Sequence, residues 1–130
     1  MNSKIYDCFT FFQENFITNL RFEILDEFVV YFIVCESLHD HRGNNKKLNF
    51  KLKDSKFKKK IIHLVYEKPF KNNNDRWKNQ AKQREHIFKG LSEAAPNDYI
   101  MFSDPDEIPR PDLLKNLNLK KKYGIFLQNI

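Results

Sequence analysis

Cysteine is scarce in this chain. Two of the 130 residues are cysteines, Cys8 and Cys35, and their spacing is neither CxxC nor that of a zinc finger. Both lie within apolar runs, which predicts two buried, reduced thiols rather than a cysteine-based metal site.

Long apolar runs and export signals are also missing. The longest run, "FVVYFIVC" at 28–35, is far too short to span a membrane. The stretch "MNSKIYDCF" lacks the charged and then apolar layout of a signal peptide. We therefore expect a cytoplasmic location, a reducing compartment and no membrane span.

The composition is that of a globular domain in which basic residues outnumber acidic ones. Hydrophobic residues make up 41% and charged residues 31%, and the formal net charge is +6. The length predicts a single domain, 1–130. The positive charge suits a nucleic acid, a nucleotide or an anionic membrane without choosing among them. Thirteen phenylalanines supply much of the core and favour self-association.

Short apolar runs alternate with helical patterns along the chain. The runs are rich in β-branched and aromatic residues and apolar on both faces, which is typical of strands in a covered parallel sheet. This order predicts an α/β fold, a mostly parallel sheet with helices on both faces. The predicted strands are 4–12, 28–35, 61–66, 99–103 and 123–128.

Two amphipathic helices are predicted between these strands, each from apolar residues that recur at spacings of three and four. The stripe of the first consists of Phe16, Ile17, Leu20, Ile24 and Phe28. That of the second consists of Trp77, Ala81, Arg84, Phe88, Leu91 and Ala95.

The stretch "SDPDE" at 103–107 concentrates acid at the carboxyl end of a predicted strand. Ligands of open α/β sheets bind at that edge. Asp104 and Asp106 can converge on one divalent ion if Pro105 makes the turn tight. Such a hard oxygen site suits Mg²⁺ or Mn²⁺ carried with substrate phosphates. The alternative is a solvated Asp-Pro turn.

Two further charged residues occupy unusual positions. Arg84 lies on an apolar stripe between Ala81 and Phe88, where its guanidinium could contact a phosphate or the acidic cluster. The alternative is that it reaches solvent or pairs with a local carboxylate. Glu36 ends the second predicted strand, where it could bind a sugar or base or simply be a polar strand end.

Four motifs occur in a specific order: "KIYDCFTFFQEN" with "LRFEIL", "FVVYFIVCES" followed by His, Gly and Lys, Trp with "QR" and "GL", and "IMFSDPDEIPRP". Together they resemble glycosyltransferase family 17, the β-1,4-mannosyl-glycoprotein 4-β-N-acetylglucosaminyltransferase family. The resemblance extends from about Lys4 to Pro111, and "YDCF" followed by "SDPDEIPRP" is far more specific than a lone DxD.

The resemblance implies a GT-A-type, Rossmann-like fold and metal-dependent, inverting transfer of a sugar to a glycan or glycoprotein hydroxyl. The donor it implies is UDP-N-acetylglucosamine. Asp104 and Asp106 would hold Mn²⁺ or Mg²⁺ with the diphosphate, and Glu36, Arg84 and Asp104 would bind the nucleotide sugar. The loop beside the cleft would be formed by His41, Gly43 and Lys46.

The chain departs from the family pattern at Asp40, Gln80 and Glu85, which stand where Thr, Glu and Asn are usual. The resemblance also implies a longer enzyme, so we expect the acceptor half and the catalytic base to lie outside this chain, and the chain alone to give no transfer.

Two other functions are conceivable. One is a remnant that binds nucleotide sugar without turnover. The other is a basic nucleic-acid-binding domain that uses the lysines of 56–60 and 120–122, although no nucleic-acid-binding signature is present and we expect no such partner. The histidines of "HDH" at 39–41 lack a third ligand nearby, so solvated side chains are expected there rather than a metal site.

Overall fold

The computed structural model describes residues 3–70 and 75–127. The described strands are β1 (Ile5–Phe11), β2 (Tyr31–Ser37), β3 (Ile61–Tyr66) and β4 (Tyr99–Phe102). The described α-helices are α1 (Asn15–Leu25) and α2 (Arg76–His86). Short 3-10 helices span Ser55–Lys60, Ile87–Gly90 and Pro111–Leu113. Within these described ranges, no helix has the length and apolarity needed to cross a bilayer.

The four strands form one sheet in the order β3-β2-β1-β4, and every neighbouring pair is parallel. All seven residues of β1 are buried, as expected for a central strand covered on both faces. The chain moves outward from β1 to β3 and then returns to place β4 on the other side of β1. This reversal opens a crevice at the carboxyl ends of β1 and β4, where ligands of such sheets bind.

The predicted layering is confirmed by two separate apolar clusters. Phe9 and Phe11 of β1 pack in one cluster with Phe22 of α1. Cys8 of β1 packs in the other with Ile87, which directly follows α2. Because neighbouring side chains of a strand point to opposite faces, the two clusters lie on opposite sides of the sheet.

The predicted apolar stripe of α1 was wrong in its amino-terminal part, while Ile24 and Phe28 are partly buried against the core. Phe16 is 84% exposed and Leu20 is also exposed. The buried residues of the helix are Thr18, Arg21, Phe22 and Leu25. They too follow a spacing of three and four, so periodicity alone does not decide between the two stripes. The buried stripe can include an arginine because Arg21 forms an ion pair with Asp7 of the sheet.

The predicted stripe of α2 was wrong as well. Trp77 is 81% exposed and Phe88 is 74% exposed. The residues of α2 that are buried are polar, Asn79 and Gln83. Gln83 donates to carbonyl groups of β1 and β2 and Asn79 donates to the His41 carbonyl, so amides, rather than apolar residues, face the sheet and the loop after β2.

The predicted fifth strand, 123–128, was also wrong. Residues 123–127 form no strand, and residue 128 lies outside the described residues. The segment folds against its own preceding loop, so closely that a Cβ on Gly124 would lie 2.8 Å from Leu119 Cδ2. Phe126 packs on the core while Ile125 and Leu127 are exposed. A segment held by these contacts does not pair with β4.

The prediction of two buried, reduced thiols is confirmed. Cys8 and Cys35 are free and fully buried. Burial raises the pKa of each thiol to about 12 from 9.0.

We expect both thiols to resist alkylation and disulfide exchange at pH 8 in the folded protein. The raised pKa lowers the fraction of reactive thiolate by about a thousandfold, and burial blocks access. A colorimetric thiol assay in buffer should detect neither cysteine, and in denaturant it should detect both. Rapid reaction of one thiol in buffer would contradict the buried placement.

Candidate functional site

A cleft of about 610 Å³ lies at the carboxyl edge of the sheet. Its walls come from the end of β1, the loop after β2, the first turns of α2 and the turn after β4. These segments are distant in sequence, and the parallel strand directions bring them together. The residues that line it are Thr10, Phe11, Phe12, Glu14, Asp40, His41, Arg42, Asn44, Arg76, Gln80, Gln83, Asp104, Pro105 and Asp106.

The acidic turn, residues 103–107, forms one wall of this cleft. Pro105 is buried, and the Glu107 amide donates to the Asp104 carbonyl at 3.0 Å, which closes a tight turn. The Glu107 carboxylate accepts from the Asp104 amide at 2.8 Å. Asp104 and Asp106 both line the cleft. The turn that Pro105 was expected to make is therefore present, and it brings the two carboxylates to the cleft.

The donor set of this turn fits a divalent ion carried by a substrate. Asp104 is 47% exposed and Asp106 is exposed, so both carboxylates are accessible to a ligand from solvent. Across the described ranges, no group of three or more His, Cys, Asp or Glu side chains could hold a metal ion. An ion at Asp104 and Asp106 would thus complete its shell with water and substrate phosphates, as Mg²⁺ and Mn²⁺ commonly do.

Arg84 lies next to the acidic turn rather than in the core. Its Nη2 is 3.6 Å from Asp104 Oδ1, and its guanidinium lies 5.2 Å from the centroid of the Phe102 ring. The side chain is 43% exposed, so this is a long, solvated ion pair. The predicted apolar surroundings of Arg84 were wrong, but its guanidinium is close to the predicted metal ligands.

Glu36 lies beneath the cleft and does not line it. Its side chain is fully buried. One oxygen accepts from Lys46 Nζ at 3.0 Å and from the Asn49 amide, and the other accepts from the Phe50 amide at 3.1 Å and contacts His63 Nε2 at 3.2 Å. In this structure Glu36 therefore anchors the loop after β2, and these contacts occupy the oxygens that were predicted to bind nucleotide sugar.

The loop after β2 is held by Asp40. Its carboxylate accepts from the Arg42 amide and from the amide and side chain of Asn44. Burial alone would raise the pKa of Asp40, but these hydrogen bonds outweigh it and leave the pKa below its ordinary value. Gly43 has φ 89°, which a side chain would strain, so the tight loop explains this glycine.

Gln83 joins three walls of the cleft and was not singled out from the sequence. Its Nε2 donates to the carbonyls of Cys35 at 2.8 Å and Phe11 at 3.3 Å. Its Oε1 therefore accepts from His41 Nε2 at 2.7 Å, so this ring nitrogen carries the proton and does not face a metal. The sequence feature that could have identified Gln83 as a site residue is its position in the "QR" motif.

A buried ion pair, Asp7 with Arg21, was also missed. Both side chains are 0% exposed, and two hydrogen bonds of 2.6 and 2.7 Å join them. The sequence did contain an indication of this pair, since Asp7 is the one carboxylate in the apolar run "KIYDCFTFF". A charge in a strand that is buried on both faces requires a buried partner.

Comparison with known proteins agrees with this architecture. No curated protein sequence and no solved structure showed a significant match to the chain. The sequence model of Glycosyltransferase family 17 matches residues 1–128. The match covers nearly the whole chain, including the acidic turn and the segments that form the cleft, so this protein belongs to glycosyltransferase family 17.

Proposed function

We propose that the cleft binds a UDP-sugar together with Mn²⁺ or Mg²⁺, and that the enzyme transfers the sugar to a glycan or glycoprotein hydroxyl with inversion. N-acetylglucosamine is the proposed sugar. The observation that carries the proposal is the position of Asp104 and Asp106 on one wall of the cleft at the carboxyl edge of a parallel sheet.

The cleft combines two arginines with several carboxylates. Arg42 and Arg76 line it together with Glu14, Asp40 and the acidic turn, so a diphosphate would bind here with a divalent cation that offsets the carboxylates. Arg76 begins α2, so the amino-terminal end of that helix, which favours anions, lies at the cleft. A nucleotide diphosphate needs cations on several sides, and the two arginines can supply them through charge-assisted hydrogen bonds.

Loss of the diphosphate is the step that needs charge stabilisation. A bound divalent ion would supply Lewis-acid stabilisation of the negative charge on that leaving group. Asp104 and Asp106 would hold it. Arg84 can leave its long contact with Asp104 and donate to the phosphates, because that ion pair is solvated and weak.

Inversion follows from direct attack by the acceptor hydroxyl, which must lose its proton to a base. Glu107 is close to the acidic turn, but its carboxylate accepts the Asp104 amide and helps to shape the turn. We therefore assign Glu107 a structural role and do not propose it as the base.

The test is calorimetric binding of UDP with and without Mn²⁺. We expect Mn²⁺ to strengthen binding by about tenfold or more in the parent chain, a difference of about 1.4 kcal/mol. Replacing Asp104 and Asp106 by Asn keeps shape and removes the charges, so the enhancement should disappear. Asp112→Asn, an exposed carboxylate outside the cleft lining, is the matched control and should keep it.

Metal-independent binding of UDP by the parent chain would contradict the proposed site. Titration with UDP-N-acetylglucosamine and with UDP-glucose under the same conditions tests the proposed sugar. We expect UDP-N-acetylglucosamine to bind more tightly than UDP-glucose. Tight binding of an oligonucleotide that weakens steeply with salt would instead favour a nucleic-acid-binding domain.

A further inference from the structure

We propose that Arg21 is a positioning residue for the acidic turn, and that it holds Asp104 and Asp106 toward the cleft from the opposite side of the backbone. The inference rests on the proposed function, since it assigns a supporting residue to the proposed metal and donor site. It does not require Arg21 to touch either ligand.

The guanidinium of Arg21 is fixed on one side by the sheet. Its Nε donates to Asp7 Oδ2 at 2.6 Å and its Nη2 donates to Asp7 Oδ1 at 2.7 Å. Asp7 belongs to the central strand β1, and both side chains are fully buried. A bidentate pair of this kind sets the plane and direction of the guanidinium.

The other side of the guanidinium faces the backbone of the acidic turn. Nη1 lies 2.9 Å from the carbonyl oxygen of Glu107, 3.2 Å from that of Asp104 and 3.4 Å from that of Pro105. Nη2 also donates to Ser103 Oγ at 2.6 Å. Arg21 therefore contacts four of the five residues of the turn, all except Asp106.

These contacts decide which way the turn faces. The carbonyls of Asp104, Pro105 and Glu107 are directed at the buried guanidinium, while the side chains of Asp104 and Asp106 line the cleft. The turn's own hydrogen bonds keep it tight, and the Ser103 amide ties its first residue to the Cys8 carbonyl of β1 at 3.3 Å, but neither orients the carbonyls that follow. Arg21 supplies that orientation by linking the turn to β1.

Lysine cannot replace this arrangement. An ammonium could keep the charge and the pairing with Asp7, but it has three donors on one atom and lacks the planar fork that reaches both Asp7 and the turn. Arg21→Lys therefore separates the charge of Arg21 from its contacts with the acidic turn.

We expect Arg21→Lys to loosen the acidic turn in the folded chain. Amide hydrogen exchange of 104–108 should become about tenfold faster, which is the change expected when one hydrogen bond to a charged group is lost. Exchange in β2 should change little. The strengthening of UDP binding by Mn²⁺ should fall by a similar factor. Binding of UDP without metal should be unchanged.

Leu25→Ala is the matched control. Leu25 is buried on the same face of α1 and its substitution destabilises the core, but it is not among the residues bonded to the turn. It should leave the Mn²⁺ effect unchanged. An Arg21→Lys variant with parental exchange at 104–108 and a parental Mn²⁺ effect would overturn the proposal.

Ser103→Ala keeps the test decisive if Arg21→Lys does not fold. It removes the Nη2 contact with the turn and leaves the buried pair intact. Faster exchange at 104–108 supports the positioning role, and parental exchange contradicts it. Hydrogen exchange is measured without metal or UDP, so it tests the positioning role alone. Failure of the proposed function would appear in a separate measurement, as UDP binding by the parent chain that does not depend on Mn²⁺.

Discussion

Phe22→Ala is expected to lower the free energy of unfolding by about 3–5 kcal/mol, the cost of a large cavity in a core. Phe22 is fully buried on α1. Its ring centroid lies 4.9 Å from that of Phe32, 6.1 Å from those of Phe50 and Phe57, and 6.3 Å from that of Phe9. Alanine would remove the ring that joins the helix, the sheet and the covering loops. Urea denaturation with a constant m-value measures the loss.

Phe16→Ala is the control for that experiment, because it makes the same chemical change on the same helix. Phe16 is 84% exposed, so its loss should alter the free energy of unfolding by no more than about 0.5 kcal/mol. A loss at Phe16 as large as that at Phe22 would contradict the exposed position of Phe16.

Asp7→Asn is expected to cost about 3–5 kcal/mol of folding free energy, because it leaves the charge of Arg21 buried without its partner. Both side chains of this pair are 0% exposed, so solvent cannot compensate. Thermal and urea denaturation should both report the loss. Asp112→Asn breaks the exposed pair with Arg110 and should change stability by about 1 kcal/mol at most.

A double variant separates the cost of the unpaired charge from the value of the pair. Replacing Asp7 by Leu and Arg21 by Met removes both charges, and apolar replacements of buried pairs are often close to neutral. We expect the double variant to recover most of the stability lost in Asp7→Asn. Amide exchange in the acidic turn should nevertheless be faster than in the parent chain, because the contacts of Arg21 with the turn are gone. A double variant as unstable as Asp7→Asn would contradict the assignment of the loss to the buried charge.

Both helix faces show where hydrophobic periodicity reaches its limit. On α1 two stripes have helical spacing, and Asp7 on the sheet favours the one that contains Arg21. On α2 the buried side chains are amides, so a search for apolar residues selects the opposite face. The position of Arg84 beside the acidic turn follows from that exposed face, and not from a buried stripe.

Glu36 illustrates the same limit at the site. Its place at the end of β2 was predictable, because strand ends lie at the ligand edge. Whether its carboxylate faces ligand or protein depends on the loop that follows, and here the amides of Asn49 and Phe50 occupy it. Such long-range partners are set by the folded chain.

The sequence by itself determined the α/β class, the four strands from β1 to β4, the family and the place of Asp104 and Asp106 after a strand, because strand runs and the acidic motif are local patterns. Only the tertiary structure decided which helix faces are buried, that residues 123–127 form no strand, and that Asp7 and Arg21 pair beneath the acidic turn. A buried charge or amide is stable only opposite its partner, and these partners lie up to 86 positions apart in the chain.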